Sequence, residues 1–228
     1  MLTNNQIIEL ITNGYTVVPQ LKISDNRRQE FIDKIKSKNI SGYVSNFSEH
    51  NKYLNEKNIY ENLKIQLIEV AKDYFKINCS PNDIYKITRV VRSTNISETY
   101  RFHFDSHLFT LVTPIQIPKS ESENDGSLML FPNIRKEPIS ELRNVLSKVY
   151  YKKINSYDNY QKLSDIKNNI IFNFNNFDPL LFLGRAGLHA NKEFYSSNQD
   201  LRITTLTHFF DPSPKYSIGN ILRILRNR

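Results

Sequence analysis

The sequence predicts a mainly β fold with helical decoration, in which helices precede an antiparallel β-sandwich or jelly-roll barrel. Three features predict it: apolar residues at helical spacing up to residue 82, roughly seven short strand-like segments over residues 83–212, and turn-forming Pro, Gly and Asn between those segments. Hydrophobic residues make up 39% and charged residues 24% of the 228, which is typical of a globular protein. No repeat or linker divides the chain, so we expect one domain over residues 1–228.

The N-terminal part, residues 1–82, is predicted to be a mainly helical support for the β core. Its apolar residues recur at intervals of three and four, the spacing of one helix face. These residues are Ile7, Ile8, Ile11, Phe31, Ile35, Leu63, Leu67, Val70 and Phe75. Gly14 turns the chain out of the first helix, and residues 15–18 predict a short strand after it.

The core, residues 83–212, is predicted from segments rich in β-branched and aromatic residues. They cover residues 83–93, 99–117, 126–132, 168–175, 178–190 and 200–210. A helical insertion over residues 139–153 interrupts the strands, with Leu142, Val145, Leu146 and Val149 on one face, and we expect it to form part of a pocket wall. Residues 213–228 predict a basic C-terminal helix.

The composition restricts the chemistry that the protein can carry. Cys79 is the single cysteine, which excludes an internal disulfide and a Cys-based zinc or iron–sulfur site and fits a reducing compartment. A secretory signal and a run of about 20 apolar residues are both absent, so we predict a cytoplasmic protein. Any metal site must therefore use His and carboxylate ligands.

The segment RFHFDSH, residues 101–107, contains the residues with the clearest metal-binding pattern. On a strand, alternation places His103, Asp105 and His107 on one face. Cα atoms two residues apart are about 7 Å from each other, so both side chains can reach one ion. His-x-Asp alone is common by chance, but His189 ends a later apolar segment. Two His and one carboxylate form the facial triad of non-heme Fe(II) oxygenases.

With Arg202 and Thr204, which form an R-x-T, these residues resemble the Fe(II)/2-oxoglutarate-dependent dioxygenases. The flanking sequence resembles the phytanoyl-CoA hydroxylase-like branch of that superfamily. The likeness covers roughly residues 84–212 and includes the order of elements: the HxD segment, a GSLMLFP strand, a strand ending in His, then Arg. It implies a double-stranded β-helix core, the jelly-roll form also found in cupins.

The resemblance implies a cofactor site as well as a fold. Fe(II) would be held by the catalytic residues His103, Asp105 and His189, with 2-oxoglutarate and O2 as cosubstrates. Arg202 and Thr204 would bind the far carboxylate of 2-oxoglutarate. A further cosubstrate contact is Asn191, which stands where this branch often has Ser.

The expected reaction is hydroxylation of a C–H bond in a small molecule, namely a metabolite, a lipid or a sugar derivative, with release of succinate and CO2. Asp105 argues against the related halogenases, which lack this carboxylate. Candidate substrate contacts are His107, Arg101 and Arg185, the last because it would share a strand face with His189. Arg89 is a weaker candidate.

Two other functions fit parts of the sequence. The net charge of +8 favours a nucleic-acid demethylase of the same superfamily, but His208 stands where those enzymes have a second Arg, and no nucleic-acid motif is present. A non-catalytic cupin-like binding module is the second alternative.

The Ile/Leu stripe and the arginines of residues 215–228 suit either binding to an anionic membrane or docking on the barrel. His50, in a polar segment, is expected to be solvated.

Overall fold

In a computed structural model, two antiparallel sheets face each other and helices cover their outer sides. The structure describes residues 1–55, 59–92, 99–118, 126–137, 139–152, 157–193 and 201–212. The predicted C-terminal helix therefore lies outside the described residues. No helix within the described ranges is long and apolar enough to cross a bilayer.

The helices and strands alternate in an order that places most helices before the core. They are α1 (Asn4–Asn13), β1 (Tyr15–Val17), α2 (Asp25–Ser37), β2 (Gly42–Ser45), α3 (Ser48–Asn55), α4 (Ile59–Phe75), β3 (Ile84–Arg92), β4 (Phe109–Gln116), β5 (Leu128–Phe131), α5 (Glu141–Lys152), α6 (Tyr157–Ile166), β6 (Ile170–Phe172), β7 (Leu180–Leu183), β8 (Leu188–Asn191) and β9 (Leu201–Phe209). A 3-10 turn spans Pro19–Leu21. The mainly β fold with helical decoration is confirmed.

The large sheet has six strands in the order β1-β7-β4-β9-β3-β2, and the small sheet has three in the order β6-β5-β8. Side chains alternate between the two faces of each sheet, so residues two apart in β9 share a face. Leu206 packs with Val112 and Phe182 of the large sheet and with Leu130 of the small one. That face of the large sheet is therefore the inner face, and it also carries Thr204.

The outer face of the large sheet packs against the N-terminal helices. Ile203 and Leu111 are in one buried cluster with Phe31 of α2 and Leu67 of α4. This explains the apolar spacing of the first 82 residues: those helices cover one side of the barrel. The α1 helix begins with a capping box at Thr3, whose hydroxyl accepts a hydrogen bond from the backbone N–H of Gln6.

The outer face of the small sheet is covered by the insertion. Phe131 and Leu188 pack with Tyr160 of α6, while Tyr151 of α5 lies against Phe104. The apolar stripe that the sequence places on one face of α5 points outward instead. Leu142 and Leu146 are 71% and 60% exposed.

Two segments that the sequence predicts as continuous strands are interrupted. Residues 99–108 form no strand: their β pairing is a single isolated β-bridge between His103 and His189, and β4 begins at Phe109. Residues 178–190 form two strands that belong to opposite sheets, joined by a turn over residues 184–187. The turn is closed by bonds from the backbone N–H groups of Ala186 and Gly187 to the carbonyl of Leu183.

Candidate metal centre

The predicted metal ligands converge at one end of the space between the sheets. His189 lies on β8, and its backbone N–H and carbonyl pair with those of His103 at 3.1 Å each. The two imidazole rings are 4.3 Å apart. Asp105 is fixed by a 3.0 Å bond from its backbone N–H to the carbonyl of Gly184. One ligand atom from each of the three residues lies within 4.8 Å of the other two.

The imidazole hydrogen bonds decide which ring nitrogens face this centre. His103 Nδ1 donates to the carbonyl of Arg101 at 2.8 Å, and His189 Nδ1 donates to the carbonyl of Gly187 at 3.2 Å. A carbonyl only accepts, so each Nδ1 carries a proton, and each Nε2 is the ring nitrogen left to bind an ion. The Nε2 atoms lie 3.9 Å and 3.7 Å from the Asp105 carboxylate oxygens. This arrangement suits an ion bound between the three groups.

The charges give the ligands the protonation states that metal binding needs. Burial raises the pKa of Asp105, but His208 and His189 outweigh it and hold that pKa well below its usual range. Burial and the neighbouring His189 lower the pKa of His103 to about 4. At neutral pH the site therefore holds an ionised carboxylate and neutral imidazole.

Thr110 and His208 support the carboxylate from behind. The Thr110 hydroxyl donates to Asp105 Oδ2 at 2.5 Å and accepts from His208 Nδ1 at 3.0 Å. Gly184 allows this close packing, because a Cβ there would lie 2.5 Å from Thr110 Oγ1 and 3.0 Å from Asp105 Cβ. Neither Thr110 nor this role of His208 was predicted from the sequence. The sequence signal for His208 was the alternation along β9, which places Arg202, Thr204, Leu206 and His208 together on the inner face.

The predicted cosubstrate residues share the inner faces with the metal ligands. Arg202 and Thr204 are buried on β9, with Arg89 of β3 directly beside Thr204 in the sheet register. On the small sheet, Asn191 lies two residues after His189 and pairs with Leu128. The structure thus brings these side chains to the barrel interior. Their contact with 2-oxoglutarate stays a prediction.

The three candidate substrate residues have different surroundings. His107 is buried, with Nε2 4.0 Å from Asp83 Oδ1 and its ring 5.4 Å from that of His208. It is not part of the three-residue group of the candidate metal site. Arg101 is exposed and holds His103 through its carbonyl.

Arg185 does not share a strand face with His189, because it lies in the turn between β7 and β8. Its guanidinium donates to the carbonyl of Ile139 at 3.0 Å, and its Nε is 3.6 Å from the Glu137 carboxylate. This part of the prediction was wrong, since the sheet change at residues 184–187 redirects the side chain.

No family model matches this sequence, and no curated protein matches it. Solved structures do share its fold. A prolyl hydroxylase from Trichoplax adhaerens is 14% identical with a TM-score of 0.56, over 91% of this chain and 88% of that one. The carbocyclase SnoK, described as non-heme and alpha-ketoglutarate dependent, is 12% identical with a TM-score of 0.53, over 97% and 90%. HygX from Streptomyces hygroscopicus, with nickel and 2-oxoglutarate bound, is 11% identical with a TM-score of 0.51, over 92% and 87%.

These likenesses confirm the double-stranded β-helix core. At such low identities they show the fold alone, so the chemistry of this chain depends on its own residues. Those residues provide two imidazoles and one carboxylate close to one another, next to a barrel interior with a buried arginine.

Proposed function

We propose that this protein is an Fe(II)- and 2-oxoglutarate-dependent oxygenase that hydroxylates a small molecule. The observation that carries the proposal is the convergence of His103, Asp105 and His189 at the end of the barrel, within 4.8 Å of one another. Solved proteins of the same fold support it, because HygX has been seen with iron and with nickel and 2-oxoglutarate. Among the described residues, these three residues are the single group of His, Cys, Asp or Glu side chains placed closely enough to hold a metal ion.

The donor set fits ferrous iron. Imidazole nitrogen and carboxylate oxygen are the ligands of the two-His, one-carboxylate facial site, whereas structural zinc favours a closed set of four ligands. Bound iron would supply activation of O2, coupled to oxidative decarboxylation of 2-oxoglutarate to succinate and CO2 with transfer of one oxygen atom to the substrate C–H bond.

The protein side chains position these partners. The Nδ1–H groups of His103 and His189, held by backbone carbonyls, aim both Nε2 atoms at the ion. The Arg202 guanidinium offers two parallel donors to the far carboxylate of 2-oxoglutarate, and Thr204 adds a hydroxyl on the same face. Asn191 is the proposed third cosubstrate contact. The apolar residues packed between the sheets exclude water from the reaction.

A small-molecule substrate is supported by HygX, which has been solved with hygromycin B bound. The prolyl hydroxylase from Trichoplax adhaerens was solved with a peptide fragment, so a peptide is the second candidate. We keep the phytanoyl-CoA hydroxylase-like branch as a proposal that rests on the order of sequence elements. A cytoplasmic location is proposed from the single cysteine, which fits a reducing compartment.

The test is formation of succinate by the purified protein with Fe(II), ascorbate and 2-oxoglutarate. We expect slow turnover without substrate, and loss of it in both Asp105→Ala and Arg202→Ala with an unchanged far-UV circular dichroism spectrum. Absence of both succinate and iron binding in the wild type would favour the cupin-like binding module. Retained turnover in either variant would reject the assignment of that residue.

A further inference from the structure

The insertion places a lysine beside the metal centre. Lys148 of α5 donates from Nζ to Ser106 Oγ at 3.1 Å. Ser106 directly follows Asp105, and neighbouring Cα atoms are about 3.8 Å apart, so the ammonium is at most about 12 Å from the Asp105 carboxylate. A small molecule that presents a C–H bond to the metal can therefore reach Lys148 with another of its groups.

Lys148 belongs to the inward face of α5. Asn144, Lys148 and Tyr151 follow the i, i+4, i+7 spacing of one helix face. Asn144 is buried and accepts from Arg135, while the Tyr151 ring packs on Phe104 at 5.4 Å. The lysine is thus held toward the site by neighbours on both sides along the helix. Burial is the main cause that lowers the pKa of its ammonium.

The ammonium has spare hydrogen-bonding capacity. It has three N–H donors, and its contact among the described residues is the neutral Ser106 hydroxyl. No carboxylate in the described part of the chain forms an ion pair with it, and the acidic groups that act on it from a distance are Asp105 and Asp211. When Asp105 binds a metal ion, the ion neutralises part of the negative charge of the carboxylate. Asp105 then offsets less of the positive charge of Lys148.

Two buried arginines lie behind the lysine and add to the positive charge. Arg135 Nε donates to the carbonyl of Arg185 at 2.8 Å, and the Arg135 guanidinium lies 3.6 Å above the Phe104 ring. Arg185 in turn bonds the carbonyl of Ile139. Among the described residues, Glu137 is the carboxylate that pairs with these arginines, at 3.6 Å from Arg185 Nε. Both arginines bond backbone carbonyls and add positive charge, and the Lys148 ammonium keeps two donors beyond its bond to Ser106.

We propose that Lys148 binds an anionic group of the substrate, a carboxylate, phosphate or sulfate, while the bond to be oxidised lies at the metal. The inference rests on the proposed oxygenase function and narrows its substrate to an anionic small molecule. A compact ammonium with two remaining donors suits such a group. Lys148 is thereby a specificity-determining residue supplied by the insertion.

The test uses sulfate as the probe and Ni(II) in place of iron. Full-length protein is saturated with Ni(II) and 2-oxoglutarate, so that the cosubstrate site is filled. Sulfate binding is then measured as the rise in melting temperature with sulfate concentration. Sodium chloride at equal ionic strength is the reference. The comparison is between wild type, Lys148→Gln, Lys148→Arg and Arg143→Gln. The last variant removes an exposed charge from the same helix.

We expect the apparent sulfate affinity to fall at least tenfold in Lys148→Gln and to persist in Lys148→Arg and Arg143→Gln. Compounds with an anionic group should stimulate succinate formation by the iron-loaded wild type more than their uncharged analogues. Equal sulfate responses in wild type and Lys148→Gln, with normal succinate formation, would overturn the inference and leave the oxygenase intact. Absence of succinate and of iron binding in the wild type would instead remove the proposed function, and the inference with it.

Discussion

Replacing Thr110 with Val tests whether the support behind Asp105 matters for metal binding. The hydroxyl is buried and donates to Asp105 Oδ2 at 2.5 Å while accepting from His208 Nδ1 at 3.0 Å. Valine keeps the shape of the side chain and removes the hydroxyl. A hydrogen bond to an ionised carboxylate contributes about 1.5–3 kcal/mol. Its loss raises the pKa of Asp105, because the hydrogen bond favours the ionised form.

We therefore expect Thr110→Val to lower the unfolding free energy of the metal-free protein at pH 7 by about 1.5–3 kcal/mol. Loss of a group that orients a metal ligand typically weakens metal binding by about 10–100-fold. Urea denaturation measures the first effect, and calorimetric titration with Ni(II) measures the second.

The stabilisation of the fold by ionised Asp105 decreases as the pH falls. Asp105 has a depressed pKa in the folded protein, so its ionised form stabilises the fold above the unfolded pKa of about 3.9, and this stabilisation is lost as the pH falls through the folded pKa. In Thr110→Val the folded pKa is higher, so metal binding should begin to weaken at a higher pH than in the wild type.

The matched control is Thr205→Val. Thr205 is also a buried threonine of the large sheet, and its Oγ1 has no hydrogen-bond partner among the described residues. Its loss should leave Ni(II) affinity unchanged. Equal Ni(II) affinity in Thr110→Val and wild type, or an equal fall in Thr205→Val, would refute the reasoning.

Three further predictions concern the cosubstrate site, the packing and the pH response. Arg202→Lys should raise KM for 2-oxoglutarate at least tenfold in the succinate assay, because Lys lacks the paired donors of the guanidinium; an unchanged KM would exclude Arg202 from this role. Gly184→Ala should lower the melting temperature and weaken Ni(II) binding, since its Cβ would lie 2.5 Å from Thr110 Oγ1; wild-type values for both would contradict this. Burial lowers the pKa of His50 in the folded protein to about 3. As the pH falls below about 6.5, the His50 imidazole therefore gains a proton in the unfolded state but stays neutral in the folded state. The free energy of unfolding then declines by up to about 1.4 kcal/mol per pH unit until the folded pKa is reached. Urea denaturation between pH 6.5 and 5 should show this decline, and His50→Gln should lack it; parallel curves for the two proteins would rule it out.

The candidate metal ligands were predictable from a combination of residues, since His-x-Asp alone is common by chance. His103 and Asp105 lie two residues apart, and His189 is one of only 5 histidines in the chain. The strand segments were also predictable from their β-branched and aromatic residues. The sheet change at residues 184–187 was not, because an apolar segment looks the same whether it continues in one sheet or crosses to the other. Its position depends on Leu108, whose carbonyl bonds the backbone N–H of Gly184.

The surroundings of the site depend on contacts between residues that are distant in the sequence. Thr110 and His208 meet across 98 residues, which no local pattern reveals. His50 has polar neighbours in the sequence, yet it is buried and bonded to Thr207 at 3.0 Å, so the expectation that it is solvated was wrong. On α5, an apolar stripe predicted the helix, but the inward face is the one with Asn144 and Lys148, because these residues have polar partners there.

The position of the insertion has an evolutionary consequence. Lys148 sits on a stretch of chain that joins β5 to β6, whereas His103, Asp105 and His189 belong to the barrel segments that carry the proposed metal site. Mutation, lengthening or replacement of this stretch can alter which molecules are accepted and leave the ligand geometry in place. The same separation makes residues 139–166 the natural segment to exchange when a laboratory seeks new substrates for this scaffold.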